Sequence, residues 1–102
     1  MSRYESVEKY INSIVSVSAE IYKFGTDTGT KEKIVCIYNC FINGEYVDHL
    51  WVKDSQLLSF KHGDTVTFRA RLKLRKRPPV SIFDTPLEDI QLVDIECIKK
   101  DK

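Results

Sequence analysis

Basic and apolar residues alternate along one stretch of the chain. Between Lys61 and Arg77 lie seven basic residues and one acidic residue, although the whole chain carries a formal net charge of +1. Alternate residues of an extended strand share one face and lie about 7 Å apart, which is close to the phosphate spacing of a stretched single strand of nucleic acid. A cationic row of this kind can bind successive phosphates, and its members are Arg69, Arg71, Lys73 and Arg75, followed by Lys76 and Arg77.

Acidic residues in the last part of the chain allow a second interpretation of this row. Cross-strand ion pairs would neutralise part of the positive charge and leave an ordinary solvated strand face. The acidic residues concerned are Glu88, Asp89, Asp94 and Glu96. Lys76 and Arg77 lie where the strand meets a loop, so such neutralisation should affect them least. We expect the row to bind phosphate, and the ion-paired alternative stays open.

Aromatic residues are concentrated in a predicted hairpin. Two strand-like runs, Lys33–Ile42 and Glu45–Lys53, flank Asn43-Gly44, a pair that suits a type I′ turn. A two-residue turn fixes the register of the two strands. One face then carries the opposed pairs Val35–Val52, Ile37–Leu50, Asn39–Asp48 and Phe41–Tyr46. Because the end remote from the turn is aliphatic, this face is predicted to line the interior.

The opposite face of the hairpin then presents rings to solvent. It carries Tyr38, His49 and Trp51, with Lys53 beside them. Unpaired bases stack on exposed rings, which contributes roughly 1 to 3 kcal/mol per base. Tyr22 and Phe24, both predicted on the outer side of the preceding strand, would extend this surface. The alternative is that the rings pack beneath an N-terminal helix or within a dimer interface.

Five strands, a short N-terminal helix and one helical turn are predicted to position these groups. A short N-terminal helix is predicted over about residues 3–12, and period-two alternation of Val15, Val17, Ala19 and Ile21 begins a strand after it. Gly25–Glu32 is predicted to be a surface loop, and a helical turn is expected between the third and fourth strands. The last strand, Ile90–Lys99, changes phase around Val93, which predicts a β-bulge.

Composition excludes several classes of protein. With 42% hydrophobic and 30% charged residues in 102, the chain is expected to fold as one domain rather than to be disordered. The sequence offers neither a signal peptide nor an apolar membrane span, so we expect a cytoplasmic location and no membrane partner. On one strand Cys36 and Cys40 would lie about 13 Å apart, too far to share a zinc ion. We therefore expect no metal, no cofactor and no catalytic residues.

One segment resembles a known fold family. Gly63 to Leu72 follows the pattern G-D-x-V-x-F-x-A-x-L, which is similar to the start of the fourth strand in OB-fold proteins. The resemblance implies an all-β, five-stranded OB-fold-like barrel over about residues 13–99, within a single domain of residues 1–102. It also implies that the loops after strands one and four flank the surface of strands two and three, where oligonucleotides usually lie.

The resemblance to single-stranded DNA-binding OB-fold proteins implies a function. We expect a non-enzymatic module that binds single-stranded DNA, with RNA as an alternative ligand, in DNA replication, recombination or transfer, where a protein partner is also expected. The stacking residues would be Tyr38, Trp51, His49, Tyr22 and Phe24. The phosphate ligands would be Arg69, Arg71, Lys73, Arg75, Lys76, Arg77, Lys53, Lys33 and Lys31. The rival hypothesis is an OB-fold protein–protein adaptor or an oligomerisation subunit without nucleic acid, and homo-oligomer formation stays open.

Overall fold

The fold is a single antiparallel sheet of five strands. The computed structural model describes residues 5–77 and 87–101. The strands are β1 (Ile14–Thr26), β2 (Lys33–Ile42), β3 (Glu45–Val52), β4 (Thr65–Arg77) and β5 (Leu87–Lys100), and they lie in the order β3-β2-β1-β4-β5. Short 3₁₀ helices cover Glu5–Tyr10 and Leu57–Ser59. The all-β prediction is therefore confirmed, and neither described helix has the length and apolar character needed to cross a membrane.

The sheet is not closed into the barrel that the sequence predicted. β3 and β5 are its two edge strands, and they approach one another along one side of the molecule. Within residues 5–77 and 87–101, no hydrogen-bonded ladder joins these two edges. In this part of the chain the predicted barrel is therefore not closed by hydrogen bonds, because β3 and β5 are in contact without forming a ladder.

The core lies on one face of the strongly curved sheet. On β1 and β4 the predicted alternation is confirmed for eight inward side chains, which are buried: Val15, Val17, Ala19, Ile21, Val66, Phe68, Ala70 and Leu72. Leu74, the next apolar position of β4, is 39% exposed. The two 3₁₀ helices add one fully buried residue each, Val7 and Leu57. Burial of a side chain of this size contributes about 1.5 to 3 kcal/mol, so this face supplies most of the apolar stabilisation.

The hairpin has the predicted register but changes face halfway along. Val35 pairs with Val52 and Ile42 with Glu45, as a two-residue turn requires. At Asn39 the backbone takes a φ of 49°, and the opposed pair predicted there is missing from the ladder. Beyond this point the residues predicted outside are buried, namely Cys40, Ile42 and Val47. The interior assignment of Phe41 and Tyr46 is therefore wrong, and these rings are 42% and 51% exposed.

A bulge in β1 separates two residues that were predicted to share a face. Ile21 pairs with Ile37 and Lys23 with Cys36, which leaves Tyr22 as the extra residue of β1. Phe24 then pairs with Val35, a fully buried core residue. Directly opposed residues lie on the same face of a sheet. Phe24 is thus on the core side, at an open end beside Leu58, and its predicted place next to Tyr22 is wrong.

β5 contains the predicted bulge and a second one. The ladder with β4 shifts register on both sides of the Arg69–Glu96 pair, where Asp94 and Cys97 have φ values of 54° and 58°. Each extra residue resets the alternation of the strand. As a result the inward apolar positions are unevenly spaced, and they are Ile90, Leu92, Ile95 and Ile98.

Candidate nucleic-acid interface

The outer side of β1, β2 and β3 carries a continuous set of rings, which we call the aromatic face. Its members are Tyr22, Tyr38, His49, Trp51, Phe41 and Tyr46. Two cross-strand rows position three of its rings with their neighbours, Lys23–Cys36–Trp51 and Glu20–Tyr38–His49. Tyr22 fits between these rows because the β1 bulge turns its side chain outward. The predicted grouping of Tyr38, His49, Trp51 and Tyr22 thus lies in one place.

The Trp51 ring packs closely against the backbone of β1 at Gly25. A Cβ atom at Gly25 would lie 3.2 Å from Trp51 Cζ3 and 3.3 Å from Cη2, so the absence of a side chain there makes room for the indole. The Lys23 ammonium lies 5.7 Å from the centre of the Trp51 ring and 5.3 Å from that of Tyr22. Lys23 therefore supplies a cation at the aromatic face, a role that alternation along β1 did not predict.

Tyr22 links the aromatic face to the turn that precedes β4. Its ring centre is 4.9 Å from that of Tyr38 and 6.0 Å from that of His62. The Nδ1 atom of His62 also hydrogen-bonds with the carbonyl oxygen of Tyr22. His62 was not among the predicted site residues. Only the pairing of β1 with the turn brings the two residues together, since Gly63 N donates to Ile21 O at 2.8 Å.

A shallow pocket of about 360 Å³ opens between these rings. Both carboxylates and cations lie beside this pocket. Glu20 accepts a hydrogen bond from Tyr38, which raises the pKa of that phenol. Asp48 Oδ2 is 2.9 Å from His49 Nδ1, and Asp48 Oδ1 accepts a hydrogen bond from the Tyr46 hydroxyl at 3.2 Å. The pocket can therefore accept hydrogen-bond donors, such as exocyclic amines of bases, beside a stacking surface.

Phe41 and Tyr46 extend the aromatic face toward the hairpin turn. Their ring centres are 5.5 Å apart with the rings edge to face. Partial desolvation, together with the hydrogen bond to Asp48, raises the pKa of Tyr46. These two residues were not predicted as part of the site. The signal that could have found them is the asparagine at position 39, which tolerates a left-handed backbone and so allows a change of face.

The basic row of β4 is in part ion-paired with β5, as the alternative interpretation proposed. Arg69 Nη2 is 3.8 Å from Glu96 Oε1, and Arg71 Nε is 3.9 Å from Asp94 Oδ2. Arg75 is opposite Asp89 in the ladder. Lys73 Nζ donates to the side-chain oxygen of Asn12 at 3.4 Å. Since these ion pairs are long and exposed, each contributes little and leaves the cations within reach of a ligand.

The remaining predicted phosphate ligands are divided between the β1–β2 loop and the end of β4. Lys53 Nζ lies 3.2 Å from Asp27 Oδ2 and 3.4 Å from Glu32 Oε2, so it ties β3 to that loop. Lys31 and Lys33 are exposed on the same loop and at the start of β2. Lys76 and Arg77 end β4 at positions opposite Glu88 and Leu87, and their side chains lie outside the described residues.

The thiols and acidic groups do not gather into a metal-binding cluster. Within residues 5–77 and 87–101, no three His, Cys, Asp or Glu residues are close enough to hold a metal ion together. Cys36 and Cys40 are buried, and burial raises the pKa of the Cys40 thiol to about 12. Cys97 is exposed on β5.

Comparison of this chain with protein-family models, with curated proteins and with solved structures finds no match. The function must therefore be argued from the chemistry of the aromatic face and of the basic row.

Proposed function

We propose that this chain is a small module that binds single-stranded nucleic acid, with single-stranded DNA favoured over RNA. The observation that carries the proposal is the aromatic face, where its six rings and the ammonium of Lys23 share one side of three strands. Bases expose flat faces for stacking only when they are unpaired. A surface of rings with few strong cations suits such bases better than it suits a duplex backbone.

The strand order supports an OB-fold arrangement as part of this proposal. An OB-fold is a five-stranded, partly open barrel whose oligonucleotide surface is centred on the second and third strands. In this chain five of the six rings lie on β2 and β3, and the two edge strands approach without pairing. The module would serve DNA replication, recombination or transfer.

Titration of a fluorescein-labelled dT oligomer at low salt tests the proposal. Binding should raise the anisotropy of the label, and it should quench the emission of Trp51, the only tryptophan of the chain. Replacing one stacking ring, in Tyr38→Ala, should weaken binding by roughly five- to a hundredfold, the range expected for one stacked base. A wild-type protein that binds neither the dT oligomer nor an rU oligomer at low salt would contradict the proposal.

Phe24→Ala provides the matched control. Phe24 is 44% exposed, close to the 43% of Tyr22, but its side chain lies on the core side of β1. Its removal should leave affinity for dT unchanged, whereas Tyr22→Ala should weaken it. Equal losses in the two variants would show that general destabilisation, and not stacking, explains the effect.

A protein-binding surface is the second candidate, and one observation favours it. The carboxylates of Glu20 and Asp48 lie beside the aromatic face, and they repel phosphate. A protein ligand with basic side chains would contact both the rings and these acids. This candidate predicts a complex that forms without nucleic acid and is lost in a Glu20→Gln, Asp48→Asn variant, whereas the same variant should bind dT more tightly under the first proposal.

A further inference from the structure

A broad groove crosses the outer side of the sheet next to the aromatic face. Its floor and walls follow one cross-strand row, in which Phe41 pairs with Ser18, Ser18 with Thr67, and Thr67 with Lys99. Neighbouring strands lie about 4.8 Å apart, so the three steps from β2 to β5 make the groove roughly 14 Å wide. Its volume is about 780 Å³, which is within the range of small-molecule sites.

The two walls of the groove have different chemistry. Phe41 is an exposed ring on one side, and Lys99 and Arg69 are exposed cations on the other. The small hydroxyl side chains of Ser18 and Thr67 lie between them and leave the floor open. A flat ring, two hydroxyl groups and two cations match the base, the sugar and the phosphate of a nucleotide in that order.

The cations of this groove are available to an anion. Within the described part of the chain, no ion pair or hydrogen bond is formed by the Lys99 ammonium. Arg69 is paired with Glu96, and the two side chains are 54% and 57% exposed at a separation of 3.8 Å. An ion pair this long and this solvated is readily exchanged for a phosphate.

We propose that this groove binds one or two nucleotides of the single strand, with a base on Phe41 and phosphate on Lys99 and Arg69. The proposal rests on the function proposed above and extends it to a second surface, formed by β1, β4 and β5. Phe41 belongs to both surfaces, so a strand stacked on the aromatic face can continue across the hairpin turn into the groove. The bound strand would then turn from the direction of β2 to a path across the sheet.

Oligomers of two lengths separate this proposal from the first one. A dT oligomer of about four nucleotides can occupy the aromatic face alone, whereas one of about twelve can reach the groove as well. Lys99→Ala should weaken binding of the longer oligomer by about three- to tenfold, the effect of one solvent-exposed hydrogen bond, and leave the shorter unchanged. Glu96→Gln should strengthen binding of the longer oligomer only, because it frees Arg69.

Lys9→Ala is the charge-matched control, since Lys9 is an exposed lysine of the N-terminal 3₁₀ helix and lies outside the groove. It should bind both oligomers like the wild type. If Lys99→Ala and Glu96→Gln match the wild type at both lengths while Tyr38→Ala loses binding, the groove proposal is overturned and the aromatic face stands. If the wild type binds neither length, the function proposed above fails, and this inference fails with it.

Discussion

Asparagine occupies three of the backbone positions at which the chain adopts a positive φ, with values of 73° at Asn12, 49° at Asn39 and 50° at Asn43. Such angles cost an ordinary L-residue about 1 to 2 kcal/mol, and asparagine accepts them more readily than most. Asn43 has a further role, because its side-chain oxygen accepts the Ser16 N–H at 2.8 Å. Single residues thus determine where the hairpin changes face and where its turn meets β1.

Replacing Asn39 tests the change of face directly. Asn39→Val should lower the free energy of unfolding by about 1 to 2 kcal/mol, because a β-branched residue resists a left-handed backbone. Asn39→Gly should be close to the wild type, since glycine adopts this conformation without a steric penalty. Urea unfolding followed by far-UV circular dichroism measures both. A valine variant as stable as the glycine variant would show that the backbone at this position is not left-handed in solution.

Carboxylates in two turns make stability depend on pH. Asp64 accepts the Lys61 N–H at 2.8 Å and lies near the Lys100 ammonium, and the backbone hydrogen bond is the main reason why its pKa falls below the ordinary 3.8. The pKa of Asp27 is lowered in the same direction by the Gly29 and Thr30 N–H groups. A carboxyl with a depressed pKa in the folded state stabilises the protein above its unfolded pKa, and that contribution is lost as pH falls further.

We therefore expect the urea midpoint to decrease as pH falls below about 4, the ordinary aspartate range. In Asp64→Asn the decrease should be smaller, because the amide oxygen still accepts the hydrogen bond and does not titrate. Adding Asp27→Asn should reduce it again. Midpoints measured at neutral pH give the reference for each variant. An unchanged acid dependence in the double variant would contradict the role assigned to these two groups.

At the scale of elements, the Trp51 ring of β3 reaches across β2 and covers Gly25 of β1. The φ angle of Gly25 is not in the left-handed region, so alanine is compatible with its backbone. Gly25→Ala should nevertheless displace the indole, since the new Cβ would lie about 3.2 Å from it, closer than ordinary contact. We expect a red-shifted Trp51 emission with a loss of stability under about 1 kcal/mol, the cost of a small steric adjustment. An unchanged spectrum would place the indole elsewhere.

The strands and the pairing within the β2–β3 hairpin could be predicted from the sequence because they depend on local patterns. The Asn43-Gly44 turn fixed the β2–β3 register, and alternation identified the buried faces of β1 and β4. The face of each hairpin residue beyond Asn39 could not be predicted in the same way. A single left-handed residue reverses the alternation of everything after it, and it carries no periodic signal of its own.

The sequence predicted those parts of the candidate site whose placement depends on these local patterns. Tyr38, His49 and Trp51 share a face because they lie before the change at Asn39. Phe41 was missed because it lies beyond Asn39. Phe24 was misplaced because the bulge at Tyr22 shifts the alternation of β1 in the same way. His62 joins the site through a tertiary pairing of its turn with β1, which no pattern within either segment indicates.

At the scale of the whole molecule, positive charge is concentrated on β4 and most of its partners are on β5. The opposed positions Arg69–Glu96 and Arg75–Asp89 bring unlike charges together across the ladder, and Arg71 is close to Asp94. This arrangement lowers the long-range attraction for any polyanion, including duplex DNA. Affinity for a single strand should then come mainly from stacking. We expect only one or two phosphates to be neutralised, so the slope of log K against log salt should be shallow, at about −0.7 for each phosphate.

Removing one acidic partner should make that dependence steeper. In Asp94→Asn the Arg71 guanidinium loses its ion pair but keeps its 2.9 Å hydrogen bond to the Asn12 carbonyl oxygen. Asparagine also suits the φ of 54° at this position, so the fold should be retained. We expect the slope of log K against log salt for a long dT oligomer to become more negative by about 0.7. Glu8→Gln makes the same change in net charge on the N-terminal 3₁₀ helix, and it should leave the slope unaltered. Equal slopes in the two variants would show that Arg71 contacts no phosphate, and that stacking alone accounts for binding on this part of the sheet.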